Sequence, residues 1–175
     1  MSGGWKVESL TRQHDRHSFD CGVEQLNEFL KKHARQNADK DVSRTYAAVA
    51  ASPSRVVGFY TICAGSVDFE QLPLVAARGL PPYSVPTAVL ARLAVDKSEQ
   101  GKGLGASLIY DAIQRIQRVA DEIGICAVTV NASDLDVRDF YLKFEFRPLL
   151  DDDLHLFLLM ATIRKIGRKV ASPDA

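Results

Sequence analysis

Three glycines within five residues, Gly101, Gly103 and Gly105, stand between an apolar run and an amphipathic one. Before them, Thr87 to Val95 is β-like and mostly apolar, as expected for a strand covered on both faces. After them, Leu104, Leu108, Ala112, Ile116, Val119 and Ile123 recur as the buried stripe of a long helix, with Gly124 as its C-cap. Ile125 to Val130 is a further apolar strand. Strand, glycine turn, helix and strand make a βαβ unit, which constrains the chain to an α/β or α+β class. The expected architecture is a mixed, twisted sheet of about six or seven strands with helices on both faces.

The flanking sequence supplies the remaining elements. Trp5 to Leu10 reads as an opening strand. Asp20 is a plausible N-cap for a helix whose apolar positions are Val23, Leu26, Phe29, Leu30 and Ala34, with Glu24, Glu28, Lys31, Lys32 and Arg35 on the opposite face. Thr45 to Ala51 and Arg55 to Ala64 read as a hairpin around Ser52-Pro53-Ser54. Pro73, Pro81, Pro82 and Pro86 exclude regular structure through most of the next stretch, although a turn of helix fits between Phe69 and Arg78. Asp134 to Phe144 reads as a short helix, Leu154 to Ile163 as a closing strand, and Arg164 to Ala175 as a loose polar tail. Residues 1–163 are thus expected to form one domain, with 164–175 outside it.

Composition removes several classes. With 175 residues, 46% hydrophobic and 25% charged, the chain is neither disordered nor fibrous. Lys+Arg and Asp+Glu are both 22, which excludes a dominant polybasic nucleic-acid binder but leaves room for a local basic face. Cys21, Cys63 and Cys126 are too few and too far apart for a disulfide framework, which points to a reducing compartment. Cys63 and Cys126 are expected to be buried and inert, whereas Cys21 at a helix start is placed for a lowered pKa. The N-terminus lacks the apolar core of a signal peptide, and Leu154 to Ile163 is far short of the roughly 20 residues of a spanning helix. A cytoplasmic protein without membrane association is expected. His14, His17, His33 and His155 form no pattern that reads as a zinc site, and no metal is expected.

A glycine turn opening a helix favours anions, because converging amides and the helix dipole place partial positive charge there. The segment fails the Walker A pattern, since Gly101-Lys102 is followed by Gly103, and its glycine spacing fails the dinucleotide fingerprint. A tight turn with no ligand is the alternative. Gln100-x-x-Gly103-x-Gly105, however, resembles the Arg/Gln-x-x-Gly-x-Gly/Ala pattern of the GNAT N-acetyltransferases, which bind acetyl-coenzyme A.

The resemblance extends from about Trp5 to Leu159, through Phe19 to Leu30, Val57 to Thr61, Leu90 to Asp96 and Phe140 to Phe144. These segments are similar to the toxin branch of bacterial type II toxin–antitoxin systems, the TacT/KacT/AtaT-like enzymes. The resemblance implies a GNAT fold that binds acetyl-CoA through Leu93, Ala94, Val95, Gln100, Gly101, Lys102, Gly103, Leu104, Gly105, Ala106 and Asn131. It implies that the strand ending at Val130-Asn131 splays from its neighbour, and that Tyr141 is the general acid that protonates the leaving thiolate. For Asn131 the alternative is an ordinary turn, and for Tyr141 a core aromatic with its hydroxyl hydrogen-bonded. The implied reaction is acetylation of the α-amino group of aminoacyl-tRNA, which blocks translation. Implied partners are a second copy in a homodimer and a ribbon-helix-helix antitoxin, through which alone operator DNA is reached. A stand-alone acetyltransferase for a small-molecule or protein amine, and an acyl-CoA sensor without catalysis, are the competing readings.

Lys31, Lys32, Arg35, Lys40 and Arg44 are candidate RNA contacts, with a solvated helix face as the alternative. Arg164, Lys165, Arg168 and Lys169 read as a solubilising tail or an antitoxin contact. Arg92 sits in an apolar strand, so it is expected either to pair with a carboxylate or to face an open cleft. The resemblance places it near the acceptor end of the RNA. Asp96 and Glu99 are expected to cap or solvate the loop, leaving no enzymatic base.

Overall fold

The glycine-centred βαβ unit forms as its sequence dictates, within a computed structural model that describes residues 4–50 and 54–171. In chain order the strands are β1 (Trp5–Ser9), β2 (Arg44–Ala50), β3 (Val56–Val67), β4 (Val85–Val95), β5 (Ala127–Asn131), β6 (Arg147–Pro148) and β7 (His155–Leu159). The helices are α1 (Glu24–Glu28), α2 (Ala34–Asp39), α3 (Leu74–Ala77), α4 (Leu104–Ala120), α5 (Leu135–Leu142) and α6 (Met160–Ala171). A single seven-stranded sheet has the order β1-β2-β3-β4-β5-β7-β6, with β4 and β5 parallel and β5 and β7 antiparallel. The mixed α/β expectation therefore holds. Two compact units divide the chain, Met1–Cys63 with Leu90–Ala112 and Ala64–Val89 with Ile113–Ala175.

In the first unit, β1, β2 and β3 form an antiparallel meander, with a register irregularity at Ala48/Val49. Residues 51–53, at the expected hairpin turn, lie outside the described residues. Phe19, Phe29, Leu30, Ala34, Ala47, Val49, Val56, Phe59 and Ala94 close a core over this sheet. The first helical stretch is not one regular helix. A π-helical turn, Phe29–His33, joins α1 to α2, and such wide turns recur at functional sites. Asp20 does not cap it. A left-handed turn at Gly22 (φ 88°) intervenes, so the Asp20 carboxylate accepts from the Gly22 amide and the Asn27 side chain, and α1 begins only after Val23.

In the second unit, Val67, Leu72, Ala77, Val85, Leu149 and Phe157 form a separate core beneath β5 and β7. The proline-rich stretch holds a 3₁₀ turn, Phe69–Gln71, and α3, matching the turn of helix expected there. The closing strand is shorter than expected. It ends at Leu159, and the chain turns helical at Met160, where the amide donates to the Cys126 carbonyl. An unbroken apolar run carries no period that separates strand from helix, and Ala161, Arg164 and Lys165 favour the helix once a bend is imposed. The segment read as a loose tail is therefore helical to Ala171, with residues 172–175 and the Lys169 side chain outside the described set.

Helix α4 buries Leu104, Leu108, Ala112 and Ile116, as its spacing requires. It stops at Ala120, so Gly124 is not its cap, and Val119 and Ile123 are exposed, the latter 61%. The last turn unwinds through bonds from the Asp121 and Glu122 amides to the carbonyls three residues before them, which takes Ile123 off the buried stripe.

Candidate active site

The glycine turn is held from beneath by a buried carboxylate. Asp96, at the end of β4, accepts from the Ser98 amide and hydroxyl and from the Asp20 amide, and thereby caps the 3₁₀ turn Lys97–Glu99. These bonds keep it charged, with a pKa below the usual carboxylate range despite burial. Glu99 accepts from the Trp5 indole at 3.2 Å and pairs with Lys102 at 3.6 Å. Both acids are thus committed to the scaffold, and neither stands free as a base.

Above this support, Gly101 and Gly103 adopt φ of 76° and 87°, the left-handed region that L side chains avoid. An added Cβ at either position would meet no atom within 4 Å, so open space lies over the turn. Gly105 lies inside α4, and Lys102 is exposed. Approach of α4 to the sheet is set by Gly58, whose absent Cβ would lie 3.0 Å from Leu104 and 3.1 Å from Leu108. The first amides of α4, including those of Leu104, Gly105 and Ala106, have no partner within the helix, and together with the turn they fit a pyrophosphate.

Gln100 also braces the turn. Its side-chain amide donates to the Val95 carbonyl at 2.9 Å and the Cys21 carbonyl at 3.1 Å, tying the turn to the strand end. The parallel ladder of β4 and β5 runs only from Thr87↔Ala127 to Val89↔Thr129, so Leu93, Ala94 and Val95 lie beyond it. Asn131 is exposed at the end of β5. It does not cap the following helix, because Asp134 accepts from the Val137 amide and takes that role.

In the second unit, Tyr141 projects from α5 into an aromatic cluster, its ring 5.5 Å from Phe140 and 5.4 Å from Phe146 in edge-on contacts. It is only 4% exposed, and burial pushes its phenol pKa above the ordinary value, so it stays protonated. Among the described residues, no group hydrogen-bonds its hydroxyl. The aromatic packing fixes the ring and leaves the O–H uncommitted.

The basic residues separate once folded. Lys32 pairs with Glu28 at 2.9 Å, and Arg44 with Asp41 at 2.6 Å. Among the described residues, no carboxylate pairs with Arg92. It is half-buried, with its guanidinium 3.8 Å above the Phe29 ring, which satisfies the cation by a π face. Lys31 is exposed and joins Arg12, His14, Arg16 and His17 around a cavity, while Arg35 is half-buried and repels Arg16.

Residues 18–154 match the acetyltransferase (GNAT) domain family. The chain belongs to the GNAT acetyltransferases. This acetyltransferase is 40% identical over 166 residues to the tRNA-acetylating toxin of Mycobacterium tuberculosis, across 95% of this chain and 98% of that one. It is 33% identical over 162 residues to the probable toxin TacT of Sinorhizobium fredii, across 88% and 90% of the two chains. Among solved structures, a tyrosine-to-phenylalanine mutant of KacT superposes with a TM-score of 0.89 at 29% identity, over 94% of this chain and 99% of the other. AtaT complexed with acetyl-methionyl-tRNAfMet gives 0.88 at 30% identity, over 93% and 99%. A mutant AtaT toxin bound to the C-terminus of its antitoxin AtaR and to acetyl-CoA gives 0.80 at 28% identity, over 94% and 99%.

The thiols of this GNAT enzyme differ from the expectation. Cys63 and Cys126 are half-buried rather than buried, and Cys21 is not activated. Burial pushes all three thiols up, outweighing the hydrogen bonds that favour the Cys21 thiolate. Among the described residues, no three metal-ligating side chains gather in one place. Arg12 and Arg16 went unread in the sequence, and His17 was weighed only as a metal ligand, because the three are scattered in a loop and carry no periodic signal.

Proposed function

We propose that this acetyltransferase is a toxin that transfers the acetyl group of acetyl-CoA to the α-amino group of aminoacyl-tRNA. The observation that carries this reading is the open glycine turn before α4 in a chain 40% identical, over 95% of its length, to a tRNA-acetylating toxin. The acyl donor supplies a thioester, whose transfer forms a C–N bond, breaks the C–S bond and releases a thiol. The amides of the Gly101–Ala106 segment hold the donor's pyrophosphate, and the main chain of Leu93 to Val95 bonds its pantetheine arm. Tyr141 keeps its proton at Oη and gives it to the departing sulfur, and the proton that the amine sheds on acylation passes to water and restores the phenol. The ester of an aminoacyl-tRNA makes the α-amine neutral more readily than a lysine amine, so the absence of a free base at Asp96 or Glu99 is no obstacle.

Acylation removes the nucleophile that peptide-bond formation requires, and translation stops. A ribbon-helix-helix antitoxin and a second copy of the chain are the partners in this reading, and a bacterial cytoplasm is the place of action. Among the described residues, no helix is long and apolar enough to cross a membrane.

The test is incubation with labelled acetyl-CoA and total charged tRNA, followed by digestion and identification of acetylated aminoacyl-adenosine. Label on that product supports the reading. Label only on free small amines or protein lysines overturns it.

A further inference from the structure

A cavity of about 130 Å³ in the first unit is lined by Arg12, His14, Arg16, His17 and Lys31. It is too small for an organic ligand of the usual 300 Å³ or more. Its walls are cationic in a protein whose formal net charge is zero. Among the described residues, no carboxylate pairs with Arg12, Arg16, Lys31 or Arg35. Arg16 is half-buried, donates to the Leu30 carbonyl at 3.5 Å, and is held below its ordinary pKa by desolvation and then by Arg35. Glu8 reaches this cluster through His14, whereas the exposed Arg12 and Lys31 keep charge that an arriving anion could meet.

The loop that presents them is firmly built. The buried His14 ring accepts from the Thr11 amide at Nδ1 (3.0 Å), so its Nε2–H donates to Glu8 (2.7 Å). Asp15 bonds the His17 amide with its side chain and the Ser54 carbonyl and Val56 amide with its backbone. Arg12, His17 and Lys31 are exposed, so they can take up a ligand at little folding cost.

The geometry points to this cavity as a seat for a backbone phosphate of the RNA substrate, gripped by Arg12 and Arg16 with Lys31 and His17 at the rim. A planar guanidinium matches phosphate oxygens in a bidentate fashion, and the ammonium adds a point charge. The inference rests on the aminoacyl-tRNA reading. It adds a phosphate contact to the candidates Lys32 and Arg44, which form exposed surface pairs with Glu28 and Asp41.

The test measures tRNA affinity against salt for the full-length protein and for Arg12→Gln, Lys31→Gln and the double variant, with Lys165→Gln matched in charge to each single variant and Arg164→Gln/Lys165→Gln to the double. Each removed contact should lower the salt slope by about 1, so the double variant loses about 100-fold in affinity at 0.1 M salt relative to a 1 M reference. Acetyl-CoA affinity should not change, and the loss should appear in the KM for charged tRNA. An unchanged slope in the double variant overturns the proposal, as does an equal fall in the charge-matched variants, which would mean general surface charge. Weakened acetyl-CoA binding with intact RNA binding would assign the cavity to the cofactor's phosphate and overturn it too. Retained RNA binding with loss of an acidic antitoxin peptide would make it a protein contact instead. A wild-type protein that neither binds nor acetylates charged tRNA overturns the functional reading itself, a result separate from all of these.

Discussion

Replacing Tyr141 with Phe removes one oxygen from a ring held by Phe140 and Phe146, and the structure gives the size of both consequences. The hydroxyl has no hydrogen-bond partner among the described residues, so its loss leaves no orphaned group. The stability change should stay within about 1 kcal/mol, equivalent to roughly 2–4 °C in Tm for a chain of this size. Loss of a positioned proton donor should lower kcat about 10²- to 10⁴-fold, or roughly 2.7–5.4 kcal/mol in the barrier. Steady-state transfer from acetyl-CoA to charged tRNA, calorimetric binding of coenzyme A and a thermal melt measure the three quantities. The expected pattern is a large fall in kcat with unaltered cofactor affinity and Tm. A fall in kcat of less than about threefold, or a Tm drop well beyond that range, would refute the reasoning and return Tyr141 to the core. Burial raises the phenol pKa, so the folded state favours the protonated form. This stabilising preference is present below about pH 10 and lost above it, and no alkaline fall in rate below that pH should trace to Tyr141.

Two glycines should fail differently. Gly103→Ala carries φ 87° with nothing near the new Cβ, so it should cost about 1–2 kcal/mol in backbone strain and weaken acetyl-CoA binding, measured by denaturation and calorimetry. Gly58→Ala pushes a Cβ to within 3.0 Å of Leu104 and 3.3 Å of the Ala94 carbonyl, and should cost about 1–3 kcal/mol through displacement of α4. Gln100→Ala frees the turn from Val95 and Cys21; the acetyl-CoA KM should rise several-fold with kcat at saturation preserved. Asp20 has its pKa lowered to about 2, chiefly by the Lys97 ammonium and then by the Gly22 amide. Its contribution is therefore full above the ordinary carboxylate pKa of about 4 and disappears as pH falls through about 2. Melts between those pH values should show a smaller acid-dependent loss in Asp20→Asn than in the wild type.

The βαβ unit, the β2–β3 hairpin and the short α5 were legible because each depends on local periodicity and on glycine or cap residues within a few positions. The candidate cofactor turn was legible for the same reason, since left-handed backbone at Gly101 and Gly103 is a local demand. Element ends were not. The apolar run from Leu154 fits strand and helix alike, and the place where β7 gives way to α6 at Met160 is set only in the folded chain. The π turn at Phe29–His33 was likewise invisible, because Phe29, Leu30 and Ala34 satisfy either helical geometry until Phe59 and Arg92 pack against them.

Charge shows the division most clearly. Sequence by itself determined that the chain is electrically balanced, that its fold is a mixed sheet and that an anion is welcome at one helix start. Tertiary structure alone decided what each cation meets. Lys32 lies beside Glu28 and Arg92 over a phenyl ring, while Arg12, Arg16 and Lys31 gather around one cavity. The reason is range: backbone preferences act over a few residues and can be read in order, whereas Coulomb pairing depends on distances in space that only the folded chain sets.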